Sequence, residues 1–266
     1  MSDVEVARVR ALAEQLARAA GAVQRELYET ELVVRTKTAS IDLVTEVDHA
    51  CEALIVGALR RERPGDAILA EEGSGDDHPG AEWRWVIDPL DGTMNYAHGY
   101  PRFCVSIGVQ RGGLPCVGVV YDPLLDELFA ATRGEGATCN GRTLRVSDER
   151  ELGRALLATG FAYDVHRSLE DNLDHFAAFV KRVRGLRRDG SAALDLCYVA
   201  AGRFDGFWEL RLKAWDIAAG ALIAEEAGAK VTSMEGGADY LRPVASILAA
   251  NPALHGRMLE ILSENP

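Results

Sequence analysis

Asp88 and Asp91 stand three positions apart in the run Ile87-Asp88-Pro89-Leu90-Asp91-Gly92-Thr93-Met94, which leaves the apolar stretch Trp85-Val86-Ile87. Hard divalent cations take oxygen ligands, and phosphate esters are stabilised by cations together with backbone N–H donors. This one segment offers both. Gly92 lets backbone approach a ligand without a Cβ in the way. If Gly92 and Thr93 open a short helix through Met94-Asn95-Tyr96, their N–H groups point at an anion. The Thr93 hydroxyl can hold a water.

Two further acidic groups sit at comparable places: Glu71-Glu72 just after Ala67-Ile68-Leu69-Ala70, and Asp216 after Trp215. Taken singly, Glu71-Glu72 reads as a solvated turn, Asp216 as the N-cap of its helix, and Asp88 to Thr93 equally well as an ordinary turn. Together they would form a carboxylate-rich pocket whose like charges need compensation. A divalent metal supplies it, and an all-oxygen donor set selects Mg²⁺, Mn²⁺ or Ca²⁺ over zinc. No G-x-x-x-x-G-K-[ST], no G-x-S-x-G and no pair of histidines at zinc spacing occurs. His98 is read as structural.

The elements that must position these acids follow from periodicity. Val6, Val9, Leu12, Leu16, Ala20, Val23 and Leu27 mark a long amphipathic helix. The polar stretch with Lys37, Ser40 and Asp42 reads as a loop or hairpin, and a helix fits Thr45 to Leu59. Strands are expected at 67–70 and 83–87. Phe103–Val109, Cys116–Tyr121 and Glu127–Thr132 form an antiparallel meander. The second half alternates: a strand over 156–159, a helix over 169–183, and a helix led in by Gly190-Ser191-Ala192. A strand over 204–210 follows, then a helix opened by Trp215-Asp216, strands over 230–232 and 247–250, and a last helix from Pro252. The order predicts stacked α and β layers in a single catalytic domain over 1–266, with helices and meander to about 150 and an α/β half from about 151.

The 266 residues carry a net charge of −12 and are 48% hydrophobic and 26% charged. Such an acidic chain is not expected to bind nucleic acid, and an anionic substrate would require a cation between the two. The basic cluster Lys181, Arg182, Arg184, Arg187 and Arg188 reads as a solvated helix face and loop. No segment has the length and apolarity of a membrane span, and the acidic start lacks the pattern of a signal peptide, so the expected location is cytoplasmic. Five scattered cysteines, none in a C-x-x-C, predict neither a disulfide framework nor a zinc site.

Four blocks in this order and spacing resemble the inositol monophosphatases, the magnesium-dependent, lithium-sensitive phosphomonoesterases. They are Asp42-Leu43-Val44-Thr45-Glu46-Val47-Asp48, Ala70-Glu71-Glu72-Gly73, Trp85 to Thr93, and Trp215-Asp216-Ile217-Ala218-Ala219-Gly220. The resemblance implies a layered α/β/α/β/α sandwich of the inositol monophosphatase and fructose-bisphosphatase type, and a homodimer. It implies two or three Mg²⁺ ions, with Mn²⁺ a possible substitute, held by Glu71, Asp88, the Leu90 carbonyl, Asp91 and Asp216, with Asp88 bridging two of them. Glu71 and Thr93 would activate the attacking water, and Gly92 and Thr93 would hold phosphate. Gly190, Ser191, Ala192 and Glu209 would face the alcohol. Lys37 and Asp48 match family positions near the metals. Met94, Tyr96 and Ala70 depart from frequent family residues, and none of them removes a ligand.

The activity so implied is hydrolysis of a phosphate monoester, myo-inositol 1-phosphate first, by a metal-activated water. Related sugar, nucleotide or histidinol phosphatases, and a metal-dependent regulatory protein that keeps the fold, stand as alternatives. An aspartyl-phosphate mechanism fits poorly, because Pro89 and Leu90 separate two acids that such enzymes place one residue apart.

Overall fold

The computed structural model describes residues 3–37, 43–76, 78–242 and 244–264. The chain begins with α1 (Asp3–Leu27), a short antiparallel pair β1 (Val34–Thr36) and β2 (Leu43–Thr45), and α2 (Glu46–Glu62). The polar stretch is thus a hairpin; Ser40 and Asp42 lie outside the described residues. Thr45 caps α2: its Oγ1 accepts from the Val47 N–H at 3.2 Å, while Asp48 Oδ2 accepts from the Thr45 N–H at 2.8 Å. Such a cap contributes about 1 kcal/mol, and here it also fixes Asp48.

β3 (Ala67–Ala70) and β4 (Trp83–Asp91) run parallel, so Glu71 and the acids of β4 emerge at the same end of neighbouring strands. After the short α3 (Thr93–Ala97) the chain continues through β5 (Cys104–Arg111), β6 (Leu114–Asp122), β7 (Glu127–Thr132), β8 (Gly136–Cys139) and β9 (Arg142–Thr143). These complete a seven-stranded sheet in sequential order, antiparallel from β4 onward.

The second half holds β10 (Leu156–Thr159), α4 (Leu173–Val180), β11 (Gly185–Arg187), α5 (Ala192–Ala200), β12 (Gly206–Leu212), α6 (Ala214–Glu226), β13 (Lys230–Thr232), β14 (Ala245–Ala250) and α7 (Pro252–Glu264). Its five strands pair in the order β11-β10-β12-β14-β13, parallel around β10 and antiparallel beyond β12. Two expectations change here. The helix expected over 169–183 is only Leu173–Val180, because Asn172 takes φ +67° and breaks it. Part of the basic cluster is the edge strand β11 rather than a helix face and loop.

The packing gives five layers. Val9, Leu16, Ile55 and Leu59 of α1 and α2 pack on one face of the seven-stranded sheet against Trp85, Ile107 and Val119. α5 and α6 lie between the two sheets: Leu194, Cys197 and Leu222 meet Val120 and Phe129 of the first sheet, and Leu196, Ile217 and Ala221 meet Phe207 and Ile247 of the second. α4 and α7 cover the outer face through Phe179, Leu254 and Met258. The layered α/β/α/β/α sandwich is thus the observed fold.

Two glycines let α6 lie against the first sheet. A Cβ on Gly118 would come within 2.6 Å of the Ala219 carbonyl oxygen, and one on Gly108 within 2.8 Å of the Ala218 Cβ. The Ala218-Ala219-Gly220-Ala221 stretch is the matching small surface on the helix. Gly118→Val, which pushes a helix backbone rather than a yielding side chain, is expected to lower stability by about 3 kcal/mol. Urea unfolding reads this directly, and a loss below about 1 kcal/mol would show that α6 can retreat without penalty.

Candidate active site

The predicted acids meet. Glu71, Asp88, Leu90, Asp91, Gly92, Thr93 and Asp216 line one cavity of about 660 Å³, with Lys37, Gly190, Ala192 and Glu209 in its walls. Glu71 follows the end of β3, and its N–H donates to the Ile87 carbonyl at 3.2 Å. The register of β4 on β5 shifts between Asp88 and Asp91, a bulge at the point where both carboxylates leave the ladder. Asp88 Oδ1 accepts from the Leu90 N–H at 2.9 Å. Asp216 arrives from the first turn of α6, and the Ser106 hydroxyl, on the strand residue paired with Asp88, donates to the neighbouring Trp215 carbonyl at 3.3 Å.

Gly92 takes φ +95°, and a Cβ there would come within 2.7 Å of the Arg102 carbonyl oxygen. Only glycine makes this turn into α3, whose first N–H groups have no acceptor within the helix. Thr93 Oγ1 lies 2.9 Å from Asp48 Oδ1 and 3.0 Å from the Leu90 carbonyl. Asp48 is fully buried; its Oδ2 accepts from Thr45 Oγ1 at 2.6 Å as well as from the cap N–H. Burial raises its carboxyl above the ordinary range, against the hydrogen bonds from Thr45 and Thr93. Lys37 Nζ donates to Glu71 at 2.8 Å and also binds Glu72.

Electrostatically the wall is frustrated. Burial first, then Glu71, Asp91 and Asp216, push the Asp88 carboxyl well up. Asp216 is raised by burial and by Glu71. Asp91 is pushed up to about 6 by burial, with Ser191 and the Ala193 N–H acting in the opposite direction. Like carboxylates desolvated together resist ionising. Among the described residues no three acidic, histidine or cysteine side chains form one tight ligand cluster. The acids line a common wall instead. The donor set of four carboxylates and one carbonyl fits Mg²⁺ or Mn²⁺ in kind.

Two residues occupy other positions than expected. Ser191 does not face the cavity: it is buried at the N-cap of α5, and its hydroxyl donates to Asp91 Oδ2 at 2.6 Å, beside the Ala193 N–H at 2.8 Å. A residue type that caps a helix here also orients an acid. Asp216 is not the N-cap, which is Lys213; as the third helical residue its Oδ2 accepts from the Lys213 N–H at 2.7 Å. His98 ends α3, exposed and outside the cavity lining. All five cysteines are free thiols.

Several supports have no signature in the sequence. Glu52, buried on α2, accepts from the N–H groups of Glu72 at 2.7 Å and Ser74 at 2.8 Å and so holds the turn after Glu71. Gln24 of α1 donates to the Pro89 carbonyl at 2.7 Å. Asn95 donates to the Arg102 and Asp189 carbonyls at 2.7 and 2.8 Å, tying α3 to the segment before Gly190. Glu209 is pushed up to about 8 by burial, offset in part by Arg188, a member of the basic cluster that lines the cavity. Gly160 makes room for it, since a Cβ there would fall 2.1 Å from a Glu209 carboxyl oxygen.

A five-layer fold with an acid-lined cavity at the ends of parallel strands defines a class of proteins. The chain belongs to the inositol monophosphatase family, whose model matches residues 5–266. It is 43% identical over 255 residues to the Nus factor SuhB of Vibrio cholerae, covering 96% of this chain and 95% of that one. The solved inositol monophosphatase from Anabaena (Nostoc) superposes with a TM-score of 0.89 at 42% identity, covering 98% of each chain. An IMPase/NADP phosphatase complexed with Mg²⁺ and phosphate superposes with a TM-score of 0.86 at 29% identity, over 98% of this chain and 97% of the other. Among the described residues no helix is long and apolar enough to cross a membrane.

Proposed function

We propose that the chain hydrolyses a phosphate monoester with Mg²⁺, and that myo-inositol 1-phosphate is its first-choice substrate. The observation that carries this reading is the convergence of Glu71, Asp88, Asp91 and Asp216 on one cavity with the Gly92-Thr93 turn. These four carboxylates and the Leu90 carbonyl would hold two or three ions. When bound, the ions would supply the positive charge that acidifies an attacking water and steadies the departing alkoxide.

The remaining work falls to the protein. Thr93 can accept a hydrogen bond from the attacking water while its own hydroxyl donates to Asp48, which makes Asp48 the proton acceptor at the end of a two-step relay. The burial that raises the Asp48 carboxyl makes it a stronger base than an exposed aspartate. Glu71, steadied by Lys37, orients the same water. The N–H groups of Gly92 and Thr93 bind phosphate oxygens. Glu209 accepts a hydroxyl of the alcohol, with Gly190 and Ala192 as the adjacent wall. No protein nucleophile is needed, since phosphoryl transfer depends on positioning and charge neutralisation.

The test is phosphate release, with and without Mg²⁺, from myo-inositol 1-phosphate, fructose 1,6-bisphosphate, 3′-phosphoadenosine 5′-phosphate and histidinol phosphate, with Asp91→Asn as control. Mg²⁺-dependent release that the variant loses supports the reading, and the preferred compound names the substrate. No release from folded, Mg²⁺-loaded protein counts against it. Lithium titration and the sedimentation of the same protein read the inhibition and homodimer that the family resemblance implies. A regulatory role beside hydrolysis is favoured by the similarity to a protein named Nus factor. The charge of −12 points such a role toward protein partners rather than nucleic acid.

A further inference from the structure

Arg211 stands in β12 with φ +62°, in the left-handed region that glycine, asparagine and aspartate enter more readily than a long side chain. The ladder to β14 slips at the same point, between Leu210 and Leu212. Arginine held in this conformation is strained, and such strain persists where surrounding contacts impose it. Its guanidinium forks onto Asp164, with Nε donating to Oδ1 at 3.2 Å and Nη2 donating to Oδ2. Nη1 lies 3.8 Å from Glu170.

Asp164 and Glu170 both belong to the segment 160–172 between β10 and α4. Asn172 fixes the base of this segment: its amide donates to Thr159 Oγ1 at 2.9 Å and to the Gly160 carbonyl at 2.7 Å, and accepts from Trp208 Nε1 at 2.8 Å. Farther out the segment is folded on itself, the Asp164 carbonyl accepting from the N–H groups of Arg167 at 2.8 Å and Ser168 at 2.9 Å. The Arg211 fork joins that folded tip to the sheet. Between base and tip, Phe161 and Tyr163 turn into the cavity.

Tyr163 has no role in the mechanism above. It is 49% exposed and lines the same cavity as Glu71, Asp88, Asp91 and Asp216, where partial burial and these acids hold its hydroxyl above the ordinary phenol range. Among the described residues it donates to no protein group. A neutral hydroxyl donor in the wall of a cavity proposed to take a phosphate is a ready binding group.

We propose that Arg211 and Asp164 form a latch that holds the segment 160–172 over the cavity and sets the Tyr163 hydroxyl to donate to a non-bridging oxygen of the bound phosphate monoester. The proposal rests on the phosphatase reading. Tyr163 touches the substrate; Arg211 is a positioning residue that acts through it.

The experiment compares Arg211→Gly, Asp164→Asn, Tyr163→Phe and the Arg211→Gly/Tyr163→Phe double variant in the full chain with Mg²⁺. Three quantities are read: inorganic phosphate affinity by calorimetry, melting temperature, and trypsin cleavage after the exposed Arg167. Glycine accepts φ +62°, so Arg211→Gly is expected to melt no lower than the parent while binding phosphate about tenfold more weakly and being cut severalfold faster. Asp164→Asn should reproduce the weaker binding and faster cutting. Tyr163→Phe should weaken phosphate about tenfold with cleavage unchanged, and the double variant should bind no more weakly than either single one.

A merely structural ion pair predicts the opposite for Arg211→Gly, a lower melting temperature and unchanged phosphate affinity. Parent-like phosphate binding in Tyr163→Phe, in Arg211→Gly or in Asp164→Asn overturns the latch, as does additivity in the double variant. Failure of the parent itself to bind phosphate or hydrolyse any ester of the panel overturns the phosphatase reading instead.

Discussion

Asp91→Asn is expected to cut turnover about 10³-fold while raising the melting temperature of the metal-free protein. Asparagine is nearly the same shape, and its side-chain oxygen can still accept from the Ser191 hydroxyl and the Ala193 N–H that hold Asp91 Oδ2 at 2.6 and 2.8 Å. What disappears is one negative charge from a wall where burial and neighbouring acids already oppose ionisation. The sign follows by linkage. A carboxyl whose folded pKa lies near 6, above its unfolded value, withdraws stability as pH rises through that interval. At pH 8 the metal-free parent carries that penalty in full and the variant does not. A gain of about 1 kcal/mol corresponds to roughly 2–4 °C in a chain of this size. Melting curves with and without Mg²⁺ check both halves: the variant should start higher and gain less from the ion. Near-normal turnover at saturating Mg²⁺ would falsify the assignment of Asp91 as a ligand.

Thr93→Val should lower kcat about 10²-fold with a smaller change in KM. Valine preserves the volume and branching of the side chain, so the turn into α3 survives. The lost hydroxyl joins the cavity to Asp48. Asp48 keeps its two bonds from Thr45, so the proposed proton acceptor stays in place but would no longer meet the water. Thr93→Ser, which restores the hydroxyl, should recover most of the rate. Steady-state kinetics on the preferred ester checks the pair. Equal losses in the valine and serine variants would mean that the methyl group, not the hydroxyl, is what the site requires.

How much was legible in the sequence depends on whether a residue acts through local chain or through packing. Glu71, Asp88, Asp91 and Asp216 follow apolar strands or open a helix, and the four family blocks fix their order, so their meeting could be foreseen. Their supports could not. Glu52 and Gln24 are ordinary polar positions on helical faces until α1 and α2 pack on the sheet and bring them to the turn after Glu71 and to Pro89. The family motif places Ser191 beside the alcohol, but its side chain caps α5 and turns inward to Asp91. β11 leaves no periodic signal, because three residues with one parallel neighbour carry little periodicity. The charge pattern marks Arg188, beyond that strand, as solvated with its cluster, whereas it stands in the cavity wall.

The placement of α6 between the two sheets has a consequence for how the protein is made. Asp216 is delivered by a helix from the far half of the chain, one packed between the two sheets beside α5, and lines the same cavity as Asp88. Contacts so distant in sequence are costly in loop entropy and form late. The acid-lined wall is therefore complete only in the finished molecule. An ion that needs Asp216 together with the β4 acids has little to hold in a partly folded chain, so its binding slows unfolding more than it speeds folding. On the proposed reading, saturation with Mg²⁺ would then report that folding has been completed, as well as permit catalysis.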